Sequence, residues 1–161
     1  MRLCNEKSKI VSFDLNLRSE LWGFSESFKE TVLEAVSYSS IVFGNLHEEF
    51  LLIYDGNEDT LDKHISEKQT FICRDGHNGA LGITNKDKVI SNAIPISPID
   101  SVGAGDAFNT GFIYASCCGK DIEESLDIGN QVAAFKLLGS GARHLPTKEL
   151  LDDFNKKYQI N

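Results

Sequence analysis

Apolar positions along the chain recur first at the spacing of strands and then at the spacing of helices. The run KIVSFDLNL predicts a buried strand near Ile10 to Asp14, whose carboxyl end leaves the sheet in polar residues. Ser25 is placed to cap a helix over Glu26 to Ser37, where apolar side chains recur at helical spacing. Ile41 to Phe43 predict a second short strand, and Asn45 is placed to cap the amphipathic segment LHEEFLLIY.

The rest of the chain predicts further short strands and then three helices, separated by glycine-containing turns and by the extended segment NAIPISPID. Strands that alternate with helices indicate an α/β architecture with a mainly parallel sheet and a helical C-terminal part. The remaining candidates are a short helix at Asp59 to Glu67, strands at Gln69 to Cys73, Ala80 to Thr84 and Lys88 to Ile90, and helices at Ala107 to Cys118, Ile122 to Leu138 and Thr147 to Tyr158.

Composition narrows the class of protein. The chain has 161 residues, 41% of them hydrophobic, which is typical of one globular domain of ordinary size. A formal net charge of −8 disfavours binding to nucleic acid or to an anionic membrane, because both rely on Lys and Arg. No apolar run approaches the roughly 20 residues that cross a bilayer. Charged residues interrupt the N-terminus where a signal peptide is apolar, so we expect a cytoplasmic protein.

Neither the cysteines nor the histidines form a motif with metal or redox chemistry. Cys4, Cys73 and the adjacent Cys117 and Cys118 lack the spacing of a zinc site or of a CxxC motif. We expect reduced, buried thiols with a structural role. The four histidines are scattered along the chain, and we expect them on the surface or in loops.

The run DSVGAGDAF, Asp100 to Phe108, is the most informative about chemistry. Gly103 and Gly105 flank Ala104 where an extended segment gives way to a helix, so backbone N–H groups can converge on an anion. The positive end of the helix dipole stabilises negative charge on a transferring phosphoryl group. Asp106, in the first helical turn, suits a base that accepts a hydroxyl proton. A common glycine turn with a dipole-favoured carboxylate is the alternative interpretation.

The longer run DSVGAGDAFNTGF resembles the C-terminal signature of the PfkB carbohydrate kinases, the ribokinase-like family, with Ser101 in place of a Thr. Three further motifs follow the family's order: GNLHEE resembles N-x-x-E, RDGHNG resembles T-x-G-x-x-G, and Asn130 precedes Gly141 at the spacing of the adenine-pocket helix. The resemblance implies a ribokinase-like, Rossmann-type three-layer sandwich. A dinucleotide-binding Rossmann domain is the weaker alternative, because no GxGxxG follows the first strand.

The resemblance assigns catalytic and metal roles position by position. It implies that Asp106 is the catalytic base and that residues 103–105 (Gly103, Ala104 and Gly105) form the anion hole. Asn45 and Glu48 lie near the phosphates of ATP and a hydrated Mg²⁺, with Glu48 ordering water around the metal. A helix N-cap followed by a first-turn acid is the alternative interpretation of Asn45 and Glu48.

The resemblance also implies nucleotide contacts and allows a second cation. Arg74 stands where the family has Thr or Ser, so a hydroxyl contact to the nucleotide is lost. Gly76 and Gly79 line the nucleotide, and Asn130 borders the adenine. A K⁺ ion is allowed beside the anion hole, bound by the carboxylate of Asp100 and the carbonyl of Val102. Asp100 is alternatively a turn residue or a cap for the next helix.

The run DLNLRSELW, Asp14 to Trp22, resembles the D-x-N-x-R-x-x-L-W run of fructokinases and 2-keto-3-deoxygluconate kinases. Arg18 follows the end of a strand, where its planar donors can meet a substrate carboxylate or a phosphate. A structural ion pair is the alternative role for Arg18. We expect Trp22 to pack rather than to bind substrate.

Every motif found belongs to the C-terminal half of the family's fold, so residues 1–161 are interpreted as the nucleotide-binding and catalytic part of a larger domain. The missing half supplies the first strands, a β lid and the grip on the sugar hydroxyls. A sheet without its first strands exposes an apolar edge, so we expect a homo-oligomer or a partner chain that supplies this half. Two functions remain open: ATP-dependent phosphorylation of a sugar or sugar acid, incomplete without the other half, and a non-catalytic nucleotide-binding or regulatory module.

Overall fold

The structure is a computed structural model that describes residues 1–160, without the side chain of Asn5. Its strands are β1 (Ser12–Asp14), β2 (Ile41–Asn45), β3 (Thr70–Arg74), β4 (Ala80–Ile83) and β5 (Lys88–Ser91). Its α-helices are α1 (Arg2–Glu6), α2 (Ser19–Trp22), α3 (Glu26–Ser37), α4 (Leu51–Ile53), α5 (Ala104–Cys117), α6 (Ile122–Leu137) and α7 (Lys148–Tyr158). A π-helical turn (Leu46–Phe50) precedes α4, and 3₁₀ segments cover Glu58–His64 and Gly76–Asn78.

The five strands form one sheet in the order β1-β2-β3-β4-β5. β1, β2 and β3 are parallel, with Phe13 beside Val42 and Val42 beside Phe71. The connections from β3 to β4 and from β4 to β5 are too short for a parallel crossover, so these neighbours run antiparallel. The predicted α/β architecture with parallel pairing is therefore confirmed for the first three strands, and β4 and β5 make the sheet mixed.

The chain divides into two compact units. The first unit comprises Met1–Asp75 and Leu81–Lys88, and the second comprises Gly76–Ala80 and the chain from Val89 onward. The core of the first unit is apolar on both faces of the parallel strands, as a sheet covered on both sides requires. Its largest fully buried side chains are Phe43, Phe50, Phe71, Leu17, Leu46, Ile53, Leu61 and Ile72.

In the second unit, α5 and α6 pack through small residues. A Cβ atom on Gly111 would lie 2.9 Å from the Ile128 carbonyl oxygen, and one on Gly129 would lie 2.9 Å from the Phe108 ring. Neither position has room for a side chain, so the two helices approach closely there. α7 joins this pair through an edge-to-face contact of Phe154 with Phe135, at 5.8 Å between ring centroids.

Several predicted elements are confirmed and several expectations are wrong. α3 has the predicted bounds, with the Phe28 N–H bonded to Ser25 Oγ, and Thr147 caps α7. The short helices α1 and α2 were not predicted. Trp22, which we expected to pack, is 77% exposed, because α2 directs its apolar side chains to the surface.

The four cysteines are free, as predicted, but the expectation of burial is wrong for three of them. Cys73 lies in β3 and is buried, which raises the pKa of its thiol far above its usual range. Cys4, Cys117 and Cys118 are exposed.

Within residues 1–160, no helix combines the length and the apolar character that a membrane span needs.

Candidate functional site

The N-terminal turn of α5 lies in the second unit and contains the predicted anion hole. Gly103 is the N-cap, with φ of 81° and ψ of 8°, a left-handed conformation that favours glycine. A Cβ on Gly103 would also lie 3.0 Å from Ala142 Cβ, so both conformation and space require glycine. Asp106 occupies the first turn of α5 and is exposed, where a substrate can reach it.

Two backbone hydrogen bonds define the turn that leads into α5. The Ala104 N–H donates to Ser101 O at 3.1 Å and therefore closes the turn. The first α-helical bond runs from the Ala107 N–H to Gly103 O at 3.0 Å. The first N–H groups of any α-helix have no partner within the helix, and Gly103 has no side chain to cap them. A helix N-terminus of this kind is a common place for an anion to bind, and here the Ala104 N–H is already engaged within the turn.

Asp100 joins two loops of the second unit. Its Oδ1 accepts from the Val102 N–H at 2.9 Å, and its Oδ2 accepts from the Gly141 N–H at 2.7 Å. These two backbone bonds hold the pKa of the Asp100 carboxyl below its usual value. Asp100 thus acts as a turn residue, which is one of its three predicted roles, and it fixes the loop that leads into α5.

Lys136 of α6 contacts this loop, and its role was not predicted from the sequence. Its side chain is fully buried in α6, and its Nζ donates to the Asp100 carbonyl oxygen at 2.6 Å. The Ile99 N–H donates to Leu137 O at 2.7 Å, so the end of α6 holds this segment through backbone as well. A lysine in the last turn of a helix is ordinary in sequence, because it complements the helix dipole on the surface. Nothing in the pattern distinguishes this lysine from an exposed one.

Asn130 and Gly79, which are predicted to lie at the nucleotide, both contact residues 91–93. The buried Asn130 donates through Nδ2 to Ser91 Oγ at 2.8 Å and to Asn92 O at 3.2 Å. Gly79 has φ of 105°, and a Cβ there would lie 2.1 Å from the Ser91 carbonyl oxygen. Gly76 also has a positive φ, of 56°, and is exposed. The Asn130 amide therefore holds residues 91–92 in place.

In the first unit, Asn45 and Glu48 begin the turn after β2. Asn45 Oδ1 accepts from the Glu48 N–H at 2.9 Å, which confirms Asn45 as a helix cap. The Glu48 side chain is exposed in the first turn. Its carboxylate is thus accessible to solvent-borne ligands, while the backbone around it is fixed by the cap.

The neighbouring Glu49 is a second feature that sequence analysis missed. It is 9% exposed, and its Oε1 accepts from the Leu17 N–H at 2.7 Å while its Oε2 accepts from the Asn45 N–H at 2.6 Å. One carboxylate therefore ties the segment after β1 to the end of β2. The second acid at the start of this turn could have indicated the role of Glu49. An acid at a helix start usually lies on the surface, however, where the helix dipole favours it.

Arg74, predicted to contact the nucleotide, forms a bidentate pair with Asp14. Its two guanidinium nitrogens donate to the two carboxylate oxygens, each at 3.0 Å. Glu49 Oε2 lies 3.7 Å from the same guanidinium. Because β1 and β3 are parallel to β2, their carboxyl ends meet at one edge, and the Asp14–Arg74 pair spans it.

Arg18 follows this edge in the segment that Glu49 anchors. It is exposed, and it makes no ion pair with any residue that the structure describes. Arg18 and Asn16 both have left-handed backbone, with φ of 47° and 39°. Such conformations are costly for residues other than glycine and are often found at functional segments.

No group of three or more His, Cys, Asp or Glu side chains within residues 1–160 is arranged to hold a metal ion. A cation that depends on a dedicated cage of protein carboxylates does not fit this part of the chain. Mg²⁺ usually keeps several waters and binds through one or two carboxylates together with substrate phosphates. The exposed carboxylate of Glu48 fits that second arrangement.

Known proteins are similar to this chain over most of its length. Residues 1–149 match the model of the pfkB family carbohydrate kinases. The chain is 22% identical to a probable fructokinase-7 of Arabidopsis thaliana, over 95% of this chain and 48% of the relative. It is 28% identical to a 2-dehydro-3-deoxygluconokinase of Haemophilus influenzae, over 85% of this chain and 45% of the relative.

Among solved structures, a double mutant of fructokinase from Vibrio cholerae O395, with fructose, ADP and potassium ion bound, superposes with a TM-score of 0.84. It is 28% identical, and the match covers 95% of this chain and 52% of that one. The predicted ribokinase-like α/β fold is thereby confirmed. The chain spans about half the length of the relatives that it matches.

Proposed function

Because this chain belongs to the pfkB family of carbohydrate kinases, we propose that it performs the nucleotide-binding and phosphoryl-transfer part of a sugar or sugar-acid kinase that uses ATP. The observation that supports this most is Asp106, exposed in the first turn of α5 directly after the GAG turn. A carboxylate and an anion-binding helix terminus are thus adjacent on one short segment. Phosphoryl transfer needs both, a group that accepts the hydroxyl proton and donors that stabilise the transferring charge.

In this proposal, Asp106 accepts the proton of the attacking hydroxyl while the hydroxyl oxygen forms a bond to the γ-phosphorus of ATP. The bond from phosphorus to the bridging oxygen breaks, and ADP leaves with the electron pair. The backbone of residues 103–105 at the start of α5 and the positive end of the helix dipole stabilise charge on the phosphoryl oxygens. Asp100 keeps this turn in place through its bonds to Val102 and Gly141.

Asn45 and Glu48 are proposed to serve the phosphates and the metal. Mg²⁺, when bound, neutralises charge on the ATP phosphates. Glu48 is proposed to hold water molecules that surround Mg²⁺. Its exposed carboxylate, at the start of a turn that Asn45 caps, is suited to this role. Asn45 keeps its backbone position through Glu49, so the buried neighbour acts as a positioning residue for this part of the site.

Arg74, Gly76, Gly79 and Asn130 are the proposed nucleotide residues. The bidentate pair with Asp14 holds the Arg74 guanidinium in one position. Arg74 is therefore proposed to line the nucleotide site and not to move toward the nucleotide to donate a hydrogen bond. Gly79 and Asn130 both fix the Ser91–Ala93 segment, so their proposed effect on the nucleotide passes through that backbone.

Arg18 is the proposed contact to the substrate. Its exposed guanidinium, which has no ion pair among the described residues, suits a carboxylate or a phosphate with bidentate geometry. The relatives named fructokinase and 2-dehydro-3-deoxygluconokinase support a sugar or a sugar acid as the acceptor. A sugar acid has a carboxylate for Arg18, whereas an unmodified sugar has none.

We propose further that turnover needs the remaining half of the family's fold, in the same polypeptide or in a partner chain. This rests on the relatives, whose length this chain spans by about half. Residues 1–161 then act as the C-terminal part of a PfkB-type domain. The free cysteines fit a reducing compartment, and the proposed place of action is the cytoplasm, where ATP is available.

The test is ATP-dependent phosphorylation of fructose and of 2-keto-3-deoxygluconate with the remaining half of the fold supplied, in the same polypeptide or as a partner chain. Asp106→Asn is the variant and Asp152→Asn is its control. Asp152 is exposed in α7 and undergoes the same loss of charge. We expect Asp106→Asn to lower turnover at least about 100-fold, the usual range for loss of a general base. Turnover that is equal in the two variants contradicts the assignment of Asp106.

A second candidate function is favoured because the chain matches only about half of the length of its relatives. The chain is then a nucleotide-binding or regulatory module that binds ATP without transferring phosphate. Binding of Mg·ATP with no phosphorylated product even when the remaining half of the fold is supplied, in the wild type and in the Asp106→Asn variant alike, supports this second function over the first.

A further inference from the structure

The buried lysine of α6 lies at the loop where the resemblance allows a potassium ion. Lysine is among the residues that are least often fully buried, because its ammonium group is strongly hydrated. The Lys136 side chain nevertheless has no exposed surface, and its Nζ lies 2.6 Å from the Asp100 carbonyl oxygen. This carbonyl is its one hydrogen-bond acceptor among residues 1–160.

The loop that receives this ammonium group is already closed by protein groups. Each carboxylate oxygen of Asp100 accepts a backbone N–H, one from Val102 and one from Gly141. The carbonyl oxygen of Asp100 accepts from Lys136. Asp100 therefore links residues 100–102 to the loop at Gly141 and to α6 without an ion. Lys136 also adds to the lowering of the Asp100 carboxyl pKa, as a positive charge near a carboxylate does.

These contacts do not fit a bound K⁺ ion at Asp100. A protein binds K⁺ by replacing its hydration shell with several oxygen atoms, mainly backbone carbonyls. Here the carbonyl oxygen of Asp100 is directed to an ammonium group and its carboxylate oxygens to N–H donors. A second positive charge in the same loop is also repelled by the first.

We propose that the ammonium group of Lys136 takes the place of a monovalent cation at the Asp100 loop, so that this chain orders the turn before α5 without K⁺. The inference rests on the proposed function in that the same turn is the proposed anion hole. The charge is covalently attached to α6, so it is present at any salt composition. Nucleotide binding at α5 is then insensitive to the identity of the monovalent cation in solution.

The experiment compares thermal unfolding in potassium, sodium and choline chloride at equal ionic strength. The variant is Lys136→Met, which keeps the apolar stem and removes the charge. Lys148→Met, at an exposed position in α7, is the matched control. We expect the wild type and Lys148→Met to unfold at the same temperature in all three salts. Lys136→Met is expected to unfold at a lower temperature and to gain about 3 °C in potassium chloride over choline chloride.

The wild type alone can overturn the proposal. A wild-type midpoint several degrees higher in potassium chloride than in choline chloride shows that K⁺ binds, so Lys136 does not replace it. Should Lys136→Met fail to fold, Lys136→Arg provides the second variant. We expect Lys136→Arg, which retains the charge, to unfold independently of K⁺, and a gain of stability in potassium chloride contradicts the proposal.

Titration with Mg·ADP in the same salts separates this inference from the proposed function. Equal wild-type affinity in potassium and choline chloride supports both. Affinity that depends on K⁺ overturns the role of Lys136 and leaves the kinase assignment intact. No binding in any salt counts against the proposed function, and the unfolding temperatures then decide on Lys136 by themselves.

Discussion

Glu49 and Lys136 are two charged side chains with structural roles that depend on partners far away in sequence. Glu49 bonds to a backbone group 32 residues before it, and Lys136 to one 36 residues before it. Local pattern cannot indicate such partners, because an acid at a helix start and a lysine at a helix end are both favoured by the dipole on the surface. By contrast, Asn45 as a cap depends only on residues within one turn, and the sequence predicts it correctly.

We expect Glu49→Ala to destabilise the chain by about 3 kcal/mol, because the buried Leu17 N–H and the half-buried Asn45 N–H lose their charged acceptor and the Arg74 guanidinium loses a nearby carboxylate. Glu48→Ala is the matched control, since its side chain is exposed one position away. That control is expected to change the free energy of unfolding by less than about 0.5 kcal/mol. Urea unfolding measures both, and equal effects of the two substitutions contradict the anchoring role of Glu49.

At the scale of elements, strands and long helices could be predicted, whereas the start of α5, the π-helical turn and the short helices could not. α3 follows the predicted bounds because its apolar periodicity and its Ser25 cap agree. α5 begins at Ala104, three residues earlier than predicted, because the left-handed Gly103 can serve as an N-cap without a side chain. The turn at Leu46–Phe50 is π-helical, with the Leu51 N–H bonded to Leu46 O, and the sequence pattern did not indicate this widened turn.

The close packing of α5 on α6 gives the prediction at this scale. Gly111→Ala places a Cβ within 2.9 Å of the Ile128 carbonyl oxygen, so the helices must separate. We expect a net loss of about 1–2 kcal/mol, although alanine itself favours a helix over glycine by about 1 kcal/mol. Ser116→Ala, exposed on the same helix, is the control and is expected to be neutral or stabilising. A stabilised Gly111→Ala variant in urea unfolding is inconsistent with the close approach.

At the scale of the whole molecule, the fold class followed from motifs in the correct order, and the fold comparison confirmed it. The four motifs lie in both compact units, on the loops that follow β2 and β3 and on α5 and α6. Motif order could not predict the division into two units, because this depends on contacts between segments distant in the chain.

An exposed edge of the first unit predicts association. β1 is the first strand in the sheet order and has only three residues, and Ile10 just before it is 81% exposed. An unpaired edge with adjacent apolar surface favours pairing with another chain. We expect sedimentation equilibrium at micromolar concentration to give a mass above the 17.8 kDa monomer. Ile10→Lys is expected to lower that mass, and a monomeric wild type argues against this edge as an interface.

The central claim, that the N-terminal turn of α5 binds the phosphates of a nucleotide, is tested most directly by calorimetric titration with Mg·ATP. Ala104→Asp adds a negative charge at the first position of α5, where the helix dipole accommodates it, and Ala104→Asn adds a side chain of the same size without charge. We predict binding by the wild type and an affinity at least about tenfold weaker for Ala104→Asp than for Ala104→Asn, because like charges repel. Equal affinities of the two variants, or no binding by the wild type, would contradict the claim.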